Sequence, residues 1–101
     1  MGKARKYKES IEFIWDKGNT DKNWIKHKVT NRECEEIYYD KEKKILKDVL
    51  HSEKEDKFIL LGKTKKKRLL YLVFTIRNKK IRIISARDVN KKEVPLYEKT
   101  T

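Results

Sequence analysis

One cysteine, one proline, three glycines and two histidines in 101 residues leave this chain short of what several common chemistries need. Cys34 alone can form no internal disulfide and no thiolate cluster for zinc, which points to a reducing compartment, the cytoplasm. Gly2, Gly18 and Gly62 make no glycine-rich phosphate loop, so nucleotide-dependent chemistry is not expected. His27 and His51 stand far apart, with no carboxylate spacing of the zinc or EF-hand kind, so neither a metal nor a cofactor is expected. No apolar run is long enough to span a bilayer, and the basic opening Met1 to Lys8 has no apolar segment of signal-peptide type behind it. A membrane partner is therefore not expected. Nor does any repeat or Gly/Ser linker divide the chain, which reads as a basic tail over 1–10 and a single domain over 11–99.

What is present in excess is positive charge: 28 Lys plus Arg against 16 Asp plus Glu, a formal net charge of +12. The natural partners of such a surface are polyanions, because contact releases counterions. Composition does not choose among nucleic acid, an acidic membrane surface and an acidic protein, and a lysine-rich surface can also serve solubility alone.

The most structured part of the sequence is the run from Arg68 to Arg87. Leu69 to Ile76 and Ile81 to Ala86 are rich in β-branched, aromatic and leucine residues and read as paired strands joined at Asn78-Lys79. Both are apolar on both faces, as strands in the middle of a sheet are, so Arg82 and Arg87 must be paired or lie at strand ends. A two-residue loop puts Arg82 across from Thr75 and Arg87 across from Leu70. Their parity then differs and simple pleating turns them to opposite faces, unless a bulge or a strand end near Ala86 brings them together.

Ahead of this hairpin, Ile11 to Asp16 reads as a short strand and Asp21 to Lys28 as a short helix, with Lys26 and His27 suited to its C-terminal dipole. Thr30-Asn31-Arg32-Glu33 is a capping box, predicting a helix to about Tyr39 with Cys34, Ile37 and Tyr38 on its apolar side. The charged stretch from Asp40 to Asp56 suggests an edge strand or a loop, and Lys57 to Gly62 returns to strand. Asn90 to Glu93 signals a further N-cap, with Pro95 delaying or kinking the helix after it. The expected fold is α+β: a small antiparallel sheet with two N-terminal helices and a C-terminal helix.

Metal-free RNA cleavage requires a base for the 2′-hydroxyl, an acid for the leaving oxygen and cations for the phosphorane. His51, Glu55 and Lys57 are close in sequence, and Arg82 and Arg87 carry the planar fork that binds phosphate oxygens in pairs. By spacing alone, His51 also reads as a loop histidine and Glu55 as a surface charge between Lys54 and Lys57. Trp15, Trp24, Phe58 and Phe74 suit either base stacking or the core.

The order of these motifs resembles the BrnT family, ribonuclease toxins of bacterial type II toxin–antitoxin pairs with a RelE-like fold. The resemblance runs from Phe13 to Tyr97. It rests on Phe13-Ile14-Trp15-Asp16, on Asn23-Trp24-Ile25-Lys26-His27, on the capped helix from Thr30, on His51 and Glu55 ahead of the sheet, and on Ile81 to Arg87 followed by Glu93 and Tyr97. It implies an endoribonuclease that inhibits translation and growth, with His51, Glu55, Lys57, Arg82 and Arg87 as catalytic residues. Lys17, Lys22, Lys26 and Arg77 are expected to bind RNA. The implied partners are RNA, a BrnA-like antitoxin, and promoter DNA through the antitoxin complex only; the alternative is a non-catalytic basic module acting in that promoter complex. Three positions depart from the family pattern: Asn19 stands where lysine is common, Lys28 where glycine is usual, and Lys57 where arginine is found.

Overall fold

The computed structural model describes residues 12–48 and 54–99. Among them the chain order is β1 (Phe13–Ile14), α1 (Lys22–His27), α2 (Asn31–Tyr38), β2 (Lys44–Lys47), β3 (Lys57–Lys63), β4 (Leu69–Arg77), β5 (Lys80–Asp88) and α3 (Val94–Glu98). The strands form one five-stranded sheet in the order β1-β5-β4-β3-β2. This α+β architecture corrects the wholly antiparallel sheet expected from sequence. Strands β2 to β5 are antiparallel, but β1 runs parallel to β5, Phe13 pairing with Ile81 and Ile14 with Arg82. A two-residue strand far in sequence from its partner carries no hairpin signal for its direction. Burial decides instead, with Phe13 and Trp15 packed against the core and the Ile81 amide donating to the Glu12 carbonyl at 2.9 Å.

Cross-strand partners share a face, so the registers divide the sheet in two. One face carries Phe58, Leu60, Gly62, Leu70, Leu72, Phe74, Ile81, Ile83 and Ala86. Most of these join Val29, Cys34 and Ile37 in the core beneath α2. Helix and sheet approach closely at Gly62, where a Cβ would lie 2.8 Å from the Ile37 carbonyl oxygen. A side chain there forces the backbone of α2 away from β3.

The capping box forms as its sequence predicts: Thr30 Oγ1 accepts from the Glu33 amide, and Glu33 Oε1 accepts from the Thr30 amide, both at 3.0 Å. Helix α1 has only six residues and no side-chain cap, too short to persist alone. Tertiary bonds to β5 hold it. Lys28 ends it at φ 56°, a left-handed conformation that glycine adopts at less cost. In α3, Pro95 occupies the first turn, so the helix begins at Val94; Asn90 and Glu93 exchange two hydrogen bonds in the turn before it. Charged β2 is the edge strand, and Val49 to Glu53, including His51, lie outside the described residues.

Candidate active site on the sheet

Asn78 and Lys79, with φ 52° and 66°, make the two-residue turn, and Arg82 stands across from Thr75 as the sequence predicts. Further along, the register shifts: Phe74 pairs with Ile83 but Val73 pairs with Ser85, leaving Ile84 as the extra residue of a β-bulge. Arg87 therefore stands across from Tyr71 rather than Leu70. The bulge resolves the parity conflict, and Arg82, Ser85 and Arg87 share the face opposite the core with Lys57, Tyr71 and Thr75. Only the fold carries this information, since no residue in the sequence marks a bulge at Ile84.

Side chains from the first third of the chain close the outer edge of β5 where short β1 no longer pairs with it. Fully buried Asn19 donates through Nδ2 to the carbonyls of Ile14 and Ile83 at 2.8 and 2.9 Å, and its Oδ1 accepts from the Asp16 amide. Lys22 Nζ donates to the carbonyl of Ile84, the bulged residue, and Asn23 Oδ1 accepts from the Ala86 amide at 2.9 Å. An amide serves at Asn19 because it donates and accepts among carbonyls and an N–H; a lysine there could only donate.

Each arginine on or flanking this face has a carboxylate. Arg82, with an 18% exposed side chain, contacts Asp16 Oδ1 through Nη2 at 3.0 Å, and its other N–H groups have no partner among the described residues. Gly18 makes room for it, since a Cβ there would lie 2.7 Å from Nη2. Arg87 is gripped by both oxygens of Glu93, at 2.9 and 2.8 Å, and its guanidinium carbon lies 4.1 Å from the Tyr71 ring centroid. The hydrogen bond from Arg87 holds the Glu93 carboxyl below its ordinary range. Burial, then the nearby Glu93 charge, pushes the Tyr71 phenol up, so it stays a proton donor at neutral pH. Tyr71, Ser85, Asp16 and Glu93 are site neighbours that reasoning from sequence did not assign; Tyr71 meets Arg87 through the bulge, and Asp16 meets Arg82 through the pairing of β1 with β5.

Glu55 forms a two-pronged pair with Arg77, at 3.2 and 3.0 Å, and that hydrogen bond lowers its pKa. Ionised at neutral pH, Glu55 can accept a proton but has none to give. Lys57 joins Thr75 and Arg82 in a row across three strands. Of the expected RNA contacts, Lys17 and Lys26 are exposed, Arg77 is tied to Glu55, and Lys22 is engaged with the bulge. Cys34 is buried, and desolvation followed by the charges of Glu33 and Glu35 pushes its thiol up to about 12, which removes it as a nucleophile. No cluster of three or more His, Cys, Asp or Glu suited to a metal occurs among the described residues.

A sheet face bearing two arginines, a lysine, hydroxyls and an ionised carboxylate beside it can hold a phosphodiester and accept a proton from a neighbouring hydroxyl. A model of the BrnT family, the ribonuclease toxin of type II toxin–antitoxin systems, matches residues 15–93. The chain belongs to the BrnT family. Among curated proteins, none matches it. The BrnT match contains the strand pair, the bulge, Arg82, Arg87 and Glu93, and family membership brings ribonuclease toxin activity, an RNA substrate and an antitoxin partner. No helix among the described residues is long and apolar enough to cross a membrane.

Proposed function

We propose that this BrnT protein cuts RNA without a metal, on the sheet face that carries Arg82 and Arg87, and inhibits translation and growth in the cytoplasm by doing so. The single observation behind this reading is the bulge at Ile84, which turns both arginines to one side of β5. Two planar guanidiniums on one face suit the equatorial oxygens of a phosphorane, as isolated surface lysines do not. The ribose 2′-hydroxyl loses its proton to Glu55, kept ionised by Arg77, and its oxygen attacks phosphorus. The 5′-oxygen leaves with a proton from His51, and a 2′,3′-cyclic phosphate remains. Lys57 adds charge to the phosphate site, and Tyr71 and Ser85 offer hydrogen bonds to its oxygens.

Asp16 and Glu93 hold the guanidiniums in place before RNA arrives and yield to the phosphate when it binds. The excess of +12 over the chain supports an antitoxin whose covering segment is acidic, with affinity that falls as salt rises.

Cleavage of a labelled single-stranded RNA in EDTA, by the purified protein and by the Arg82→Ala, Arg87→Ala variant, tests this reading. Cleavage by the parent and a loss of at least roughly 100-fold in the folded variant are expected. Undiminished cleavage by the folded variant moves the site elsewhere. RNA binding with no scission by the parent supports instead a non-catalytic module acting on promoter DNA through the antitoxin complex.

A further inference from the structure

Away from the arginine face, between the end of α1, the start of α2 and the β3–β4 loop, lies an open cavity of about 570 Å³. Its walls carry Trp24, Lys28, Arg32, Lys65, Lys66 and Arg68, against the carboxylates of Glu33 and Glu36 only. Both acids are engaged. Glu33 caps α2 and accepts from Arg68, while Glu36 accepts from the Lys65 amide and pairs with Arg32. Lys65 and Lys66 have no ion pair among the described residues, and Lys28 Nζ lies over the Trp24 ring at 5.0 Å rather than on an acid. Five cations against two engaged carboxylates leave net positive charge here.

The loop that presents these lysines is built rather than loose. Buried Thr64 donates its amide to the Arg68 carbonyl, accepts from the Lys67 amide through its own carbonyl, and accepts from the Arg68 amide through Oγ1. Beside it Trp24 is 47% exposed, an indole on the surface of a domain whose other tryptophan packs on the core and donates to Glu35. Arg68 joins the two regions, binding Glu33 on the cavity side and Asp88, the neighbour of Arg87, at the end of β5.

We propose that this cavity is a second binding site for single-stranded RNA, in which an unpaired base stacks on Trp24 and the flanking phosphates lie against Lys28, Lys65 and Lys66. An exposed indole among unpaired lysines matches what single strands require, a π surface tolerant of any base and a charged track for the backbone. The site extends the grip on substrate beyond the cleavage face, and it rests on the proposed function only in taking RNA as the ligand.

A 2′-O-methyl RNA of about 12 nucleotides, which cannot be cut through its 2′-oxygen, separates binding from cleavage. Titrating it into the full chain is expected to quench Trp24 emission. Trp24→Ala is expected to weaken binding roughly tenfold. Lys65→Ala with Lys66→Ala is expected to reduce the slope of log affinity against log salt by about 1.4. Cleavage of a trinucleotide should be unchanged in both variants, and all three positions are exposed, so thermal melts should match the parent. Unaltered affinity and salt slope in both variants overturn the proposal, as does a loss of affinity for an acidic antitoxin peptide without one for RNA. A parent chain that cuts no RNA but shows these binding effects removes the ribonuclease reading and leaves this one standing.

Discussion

The two faces of the sheet are made from the same strands and differ in almost everything else. Beneath α2 the alternate residues of β3, β4 and β5 are mostly apolar, with Leu60, Leu70, Leu72 and Ile83 almost wholly buried. The opposite face is mixed: Ile59, Leu61 and Val73 lie among Lys57, Tyr71, Thr75, Arg82, Ser85 and Arg87, Leu61 and Thr75 are buried, and the arginines rest on carboxylates. The pleat thus gathers most of the core on one side and the proposed chemistry on the other, and the bulge at Ile84 puts both arginines on that second side. Without the extra residue in β5, the sequence parity would send Arg82 and Arg87 to different faces.

Substitutions on or bordering the covered face should register in stability, and those on the opposite face in activity. The largest expected effect is at the border. Asn19→Ala strips three hydrogen bonds from a fully buried position and should cost about 3 kcal/mol in urea unfolding. Gly62→Ala drives a Cβ against the Ile37 backbone and should cost about 2 kcal/mol, with RNA cleavage by the folded fraction unchanged.

Arg82→Lys should invert that result, with roughly tenfold slower cleavage at nearly unchanged stability, since charge survives and the planar fork is lost. Equal losses of stability from Arg82→Lys and Gly62→Ala would break the division between the faces. Acid sharpens it differently. The carboxyls of Glu93 and Asp88 are lowered, chiefly by hydrogen bonds from Arg87 and Arg68. Their contribution to stability is complete above the ordinary carboxylate range, about pH 4, and is lost as pH falls through their folded values. Glu93→Gln should make the decline shallower in acid unfolding curves. Lys28→Gly should be the smallest change, a net gain of about 0.5 kcal/mol, because relief of the left-handed backbone outweighs the lost contact with Trp24.

Much of this was legible in the residues themselves, for reasons that are local. Thr30 and Glu33 specify a helix start because both partners of the capping box lie within one turn. Asn78-Lys79 between two apolar runs specifies a hairpin because a two-residue loop leaves one register. The motif order, read from Phe13 to Tyr97, was sufficient to indicate the family. The sequence offers His51, Glu55, Lys57, Arg82 and Arg87 as candidates but says nothing of how they are arranged.

Tertiary structure decided the arrangement. The parallel direction of β1 follows from where Phe13 and Trp15 find the core, a contact between distant parts of the chain. Pairing of Arg87 with Tyr71 depends on a bulge whose freed backbone groups are satisfied by Lys22 and Asn23 from α1, more than sixty residues earlier. Asp16 reaches Arg82 through the pairing of β1 with β5, and Glu93 reaches Arg87 from the turn before α3. Local sequence specifies elements because propensity, caps and turns act within a few residues. Which charges meet depends on register between strands, and register is settled only when the whole sheet buries one face and satisfies the backbone at its edge.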